Sequence, residues 1–156
     1  MTDDPTPRRP TLVFWRLFAL VYDAFPVIAL WMLASLAFTL GYTIAGHDPH
    51  QNIGAFSPLQ WLLWFVCWLI GGLYAVMSWH RGGQTLGMRP WRLRVVDQAG
   101  GLATWRALWI RYAVGAFSLA LAGLGFWWAW IDRDRLTWHD RASGTRMERM
   151  EKKSRE

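Results

Sequence analysis

Between Leu17 and His80 the chain has no lysine and no arginine, and all 17 of its basic residues lie elsewhere. It has one cysteine, Cys67, set inside an apolar run. A single thiol excludes an intrachain disulfide, and its setting points to packing rather than redox chemistry. No Ser-His-Asp, Cys-His or HExxH arrangement is present, so no nucleophile and base can be paired, and the chain is not read as an enzyme. The helix around Cys67 offers it no histidine or charged residue as an activating partner. His47, Asp48 and His50 could bind a metal or sense pH, but a loop of polar residues is the better reading, and no metal or cofactor is expected. Gly82, Gly83 and Gly87 lack the lysine and the strand-to-helix context of a phosphate-binding loop. The N-terminus, Met1 to Pro10, is polar and proline-rich, and no small-residue cleavage site follows a short apolar core. The first apolar segment is therefore expected to be retained.

What is present is apolar and aromatic. Of 156 residues, 53% are apolar, 16% are aromatic and 13 are tryptophan. A soluble domain of this size has little interior for so many indoles. The mean hydropathy of +0.09 hides the segregation of charge from apolar sequence. The net charge of +6 suits an anionic membrane surface. Nucleic acid is the other partner of a basic chain, but here the charges flank apolar spans, and no nucleic-acid role is expected.

Three apolar segments follow the tail of residues 1–10: 12–45, 59–79 and 112–131. The first would be about 51 Å long as one helix, against a hydrocarbon core of about 30 Å. It must tilt, bend or lie partly at the interface, and Pro26 is the natural bend. Ala37, Gly41 and Ala45 form a stripe on which another helix could pack. The second segment carries no charge and has Trp61 and Trp79 near its ends as interfacial anchors. Between it and the third, Trp91 to Asp97 alternates basic and apolar residues and meets a Gly100-Gly101 turn, a short strand signal. Trp105 to Arg111 reads as an amphipathic lead-in to the third segment. Residues 151–156 are a charged tail.

Basic residues cluster in the N-terminus, the middle loop and the tail, and positive-inside logic puts all three in the cytoplasm. Three full spans cannot satisfy that. Either 112–131 breaks at Gly123 and Gly125 into a re-entrant hairpin, or it crosses and the tail faces outward. Pairing of Thr145 to Met150 with Trp91 to Asp97 would require both on one face. The fold expected is an all-α membrane protein with two to three transmembrane helices, the third possibly re-entrant in this sense. A small basic loop subdomain with a short strand accompanies them.

Arg16 and Asp23 are the most informative charges. Seven residues place them on one helical face but about 10.5 Å apart along the axis, so each needs another partner. Ionisable groups in a membrane helix suggest function by default. The structural alternative has Asp23 capping a helix that begins near Pro26, with Arg16 reaching the headgroups.

These residues resemble the RDD family of small bacterial membrane proteins. The resemblance rests on Arg16-x6-Asp23, on Gly83-Gln84-Thr85-Leu86-Gly87 with Leu93-Arg94-Val95-Val96-Asp97, and on Asp132 to Arg135 followed by Leu136-Thr137-Trp138-His139-Asp140-Arg141-Ala142-Ser143-Gly144-Thr145. It spans about Leu12 to Met150. The chain departs from the family where a valine-rich strand often follows Gly-Thr, since it has Arg146-Met147-Glu148 there. The family is named for one arginine and two aspartates. Arg16 and Asp23 match the first two, Asp140 is the choice for the third and Asp97 the runner-up. His139 and Arg141 are secondary candidates.

The resemblance implies a bacterial inner-membrane protein with a role in transport such as cation/proton exchange, and positive-inside logic puts its N-terminus inside. In that reading Arg16, Asp23 and Asp140 form one buried polar cluster, and Asp23 exchanges a proton for a cation. Three spans enclose too little volume for a pathway, so a homo-oligomer in anionic lipid is expected. The alternative is a membrane adaptor in which the cluster is a structural staple.

Overall fold

The computed structural model describes residues 11–46, 54 and 56–150. The expected tails 1–10 and 151–156, and the His47, Asp48 and His50 loop, lie outside the described residues.

Helix α1 runs unbroken over Val13–Ile44 and α2 over Pro58–Gly82. Both are long and apolar enough to cross a membrane. Pro26 does not end α1, and Asp23 lies within that helix rather than capping a second one. The expected capping role of Asp23 is thereby corrected. At 32 residues, α1 is about 48 Å long, more than the hydrocarbon thickness. From Pro26 to Ile44, however, the length is about 28 Å, close to that thickness. The first three turns, carrying Arg16 and Asp23, are left over, and the rest of the chain folds around them. Helix α2 starts where Ser57 caps the backbone N–H of Gln60 and Pro58 supplies a fixed φ. It ends at Gly83, whose φ of +72° suits a residue without Cβ.

After α2 come strand β1 (Leu93–Asp97), α3 (Trp105–Ala120), the short α4 (Leu124–Trp127), a 3-10 turn (Trp128–Trp130), α5 (Trp138–Ser143) and β2 (Thr145–Arg149). The third apolar segment differs from its sequence reading at both ends. Its helix begins at Trp105, because Thr104 caps it by accepting from the Ala107 N–H, so the amphipathic lead-in is part of α3. It stops at Ala120, because Ala122 and Gly123 both adopt left-handed conformations, at φ +54° and +76°. The chain then turns by 108° into α4 and the 3-10 turn. This brings Trp130 back to Phe14 at the start of α1, with ring centroids 5.9 Å apart.

The two strands pair antiparallel, Leu93 opposite Arg149 and Asp97 opposite Thr145. The pairing expected from the sequence therefore forms, and it puts the middle loop and the chain after α5 at one end of the helix pair. Arg94 faces Glu148 across the ladder, a favourable opposite-charge pair.

The packed core lies at that same end. Val76, Met88, Leu93, Val95 and Leu108 are buried there among Trp15, Trp79, Trp91 and Trp109. The ring of Trp91 lies 4.9 Å from Trp15 and 5.4 Å from Phe18. The far halves of the long helices are open instead, with Met32 at 68% and Ile44 at 85% exposure. Apolar surface of this kind suits lipid. Helix α3 crosses close to α2 at Gly72, where a Cβ would collide with Trp109 and Tyr112. By contrast a Cβ at Gly41 would meet nothing within 4 Å, so the stripe of Ala37, Gly41 and Ala45 has no packed neighbour at its centre among the described residues.

Candidate functional site

Arg16, in the first turn of α1, is 5% exposed. Its Nη1 donates to Asp140 Oδ2 at 2.5 Å and to the Thr137 hydroxyl at 3.1 Å. Arg111, from the middle of α3, donates from Nη1 to Asp140 Oδ1 at 2.5 Å and to the Thr145 hydroxyl at 2.8 Å. Its guanidinium also lies 5.5 Å from the centroid of the Trp79 ring. Asp140 thus bridges two arginines from two different helices, with its side chain completely buried.

Local structure sets this carboxylate in place. Thr137 and Asp140 form a capping box at the start of α5: the Thr137 hydroxyl accepts from the Asp140 N–H, and Asp140 accepts from the Thr137 N–H. Gly144, at φ +62°, then ends the helix so that β2 can begin at Thr145. Burial alone would raise the pKa of the Asp140 carboxyl, but Arg111 and Arg16 outweigh it and hold that pKa well below the ordinary carboxylate range. The trio therefore carries one positive charge more than its single carboxylate balances.

Asp23 does not join this cluster. Expectation put Arg16, Asp23 and Asp140 together, and the two helical turns between Arg16 and Asp23 prevent it. Asp23 instead binds the loop after α2. Its carboxylate accepts from the Tyr74 hydroxyl at 2.7 Å, from the Gly87 N–H at 2.8 Å and from the Thr85 hydroxyl. Tyr74 in turn accepts from the Leu86 N–H at 3.3 Å. There are thus two polar sites on one face of α1, one locking α1 to α3 and α5, the other locking it to α2 and the following loop.

The runner-up Asp97 stands apart from both sites. Its carboxylate accepts from the Gly101 N–H at 2.7 Å and closes the turn that follows β1. Arg141 is largely exposed and pairs with Asp132 at 2.7 Å and Asp134 at 3.7 Å. His139 is buried against Phe126, with ring centroids 4.7 Å apart, and its Nδ1 has no hydrogen-bond partner among the described residues. Burial, reinforced by Arg111, holds its pKa well below the ordinary imidazole value.

The sign of that shift yields a test. The unfolded chain takes up a proton on His139 near its ordinary value, about 6.5, and the folded chain does not. Stability from this group is complete above that value and is lost as pH falls below it. Melting in detergent between pH 7.5 and 5 should therefore show a falling midpoint. His139→Gln should flatten that slope, and an unchanged slope in this variant would contradict the assignment. Asp140 acts in a separate, lower window, since its contribution is lost only as pH falls below the ordinary carboxylate range.

Reading the sequence alone misses Arg111, Tyr74, Thr85 and Thr137. Arg111 directly precedes an apolar run and looks like one more flanking positive charge. Thr137 carried a readable signal, because Thr137-Trp138-His139-Asp140 has the spacing of a capping box.

The family model for the RDD family matches residues 10–144. The chain belongs to the RDD family. No curated protein and no solved structure matches it. Family membership and the two long apolar helices together make it an integral membrane protein.

Proposed function

We propose that this RDD protein is a non-catalytic membrane adaptor, in which the Arg16–Asp140–Arg111 cluster staples a small basic subdomain to the entry of α1. The observation that supports this reading is the double engagement of Asp140. A carboxylate held ionised by two buried guanidiniums has no tendency to take up and release protons near neutral pH. Positive-inside logic puts the basic end and the N-terminus in the cytoplasm of a bacterial inner membrane, where anionic lipid faces it. Because β1 and β2 pair, Asn52 and a residue after β2 should lie on opposite sides of the bilayer. Single cysteines at Asn52 and at Ser154, each in a Cys67→Ala background, would be treated with a membrane-impermeant maleimide on intact cells. Labelling at Asn52 alone is expected. Labelling at both would contradict the arrangement.

A second reading has its own observation. Asp23 meets two hydroxyls and a backbone N–H, and no arginine or lysine pairs with it among the described residues. A carboxylate within a membrane helix that is not matched by a basic side chain suggests function by default, and in this reading the protein is a homo-oligomeric cation/proton exchanger that uses Asp23. The two readings separate on Asp23→Asn. The adaptor reading expects a lowered melting midpoint, with no change in cation flux driven by a pH gradient in reconstituted vesicles. The exchanger reading expects a stably folded protein whose flux is lost.

A further inference from the structure

The opening of α1, the turn before α5 and strand β2 enclose a cavity of 240 Å³ with Arg16, Arg135, Arg146 and Arg149 in its lining. The lining carboxylates are Asp134 and Glu148. Both are already engaged: Asp134 lies 3.7 Å from Arg141, and Glu148 accepts from Arg146 at 2.6 Å. Arg149 stacks over Trp15, 4.8 Å from the ring centroid. Arg135 has no ion-pair partner among the described residues.

Arg16 connects this cavity to the buried cluster. It lines the cavity, yet it is 95% buried and shares its one carboxylate with Arg111. Its Nε is buried without a hydrogen-bond partner. A desolvated excess of positive charge is unfavourable until an anion approaches. Arginines from three separate chain segments line this cavity. Arg146 divides its guanidinium between Glu148 and the Gln98 carbonyl, which leaves Arg135 and the buried excess charge at Arg16 to meet an anion. Such planar forks match the several oxygens of a tetrahedral anion. A lone carboxylate has only two oxygens to offer them.

We propose that this cavity is a phosphate-binding site. The phosphate comes from an anionic phospholipid headgroup or from free phosphate. The headgroup source suits the flanking residues Phe14 and Phe18 of α1, which are 60% and 50% exposed and would lie along acyl chains. The site stands independently of the adaptor reading, because its chemistry is the same whether the protein scaffolds or transports.

The test uses the full chain. Its melting midpoint is followed in neutral detergent during titration with inorganic phosphate at constant ionic strength. It is then followed in nanodiscs of phosphatidylcholine with and without phosphatidylglycerol. A ligand that binds only the folded state raises the midpoint with its concentration. The Arg135→Gln/Arg146→Gln variant should bind about tenfold more weakly or worse, as expected when charge-assisted hydrogen bonds are removed. Arg92→Gln/Arg106→Gln, which removes two arginines outside the cavity lining, should behave as wild type. If the double variant fails to fold, Arg135→Gln alone serves, because that side chain has no ion-pair partner to lose. A shift with inorganic phosphate assigns the site to free phosphate, and a shift with phosphatidylglycerol only assigns it to a headgroup. Absence of any shift overturns the proposal. So does a shift that survives the cavity substitutions, or one lost equally in the control variant, which would reduce it to general surface charge.

Discussion

Asp140→Asn is expected to lower stability by about 3–5 kcal/mol, the usual cost of breaking a buried ion pair from one side. The amide keeps the shape of the carboxylate and removes its charge. Arg16 and Arg111, both nearly inaccessible, would then face each other across a neutral group with no other carboxylate in contact. In a chain of this length the midpoint should fall by roughly 6–20 °C. The companion experiment replaces all three charges, as Arg16→Met, Arg111→Met and Asp140→Leu together. It should recover most of the loss, because no stranded charge remains. The neighbouring hydroxyls are not orphaned by that change. Thr137 still accepts from the backbone N–H of residue 140, and Thr145 still bonds Ser143. Circular dichroism melts in detergent measure both. A single variant as stable as wild type would remove the staple from the adaptor reading.

The second large effect lies at the other polar site. Gly87→Ala would direct a methyl group into the backbone oxygen of Ala19 and against the Asp23 side chain. The obstacle is largely helix backbone, which cannot rotate aside as a flexible side chain could. The loop must move away, and the N–H of residue 87 then leaves the Asp23 carboxylate. Overpacking and the loss of a hydrogen bond to a charged group together should cost about 3 kcal/mol. Gly41→Ala is the control, since its Cβ enters open space, and no loss of folding stability is expected there. A melt of Gly87→Ala indistinguishable from that of Gly41→Ala would show that the loop does not pack on α1 as described.

Much of this protein could be read from residue order. A long run without basic residues can only be accommodated by lipid or by a large interior, and the chain is too short for the second. The two long helices, the short strand at Leu93–Asp97 and the family membership all follow from patterns within single segments. Even the pairing of β1 with Thr145–Arg149 could be anticipated, because positive-inside logic puts both segments on one face of the membrane.

What only the tertiary structure decided is which charges meet. Arg16 and Asp23 share a helical face, and sequence spacing grouped them. Helix rise separates them by two turns, and each finds its partner on chain that arrives from far away. Asp140 is 124 positions from Arg16 and Thr85 is 62 from Asp23. Arg111 could not be told from an ordinary flanking arginine, because its burial depends on the 108° break after α3 folding the later chain back onto it. Local propensity and hydropathy act within a turn or two of helix, so they determine where the spans begin and end. The identity of a buried ion pair depends on which segments the fold closes over, and that is a property of the whole chain.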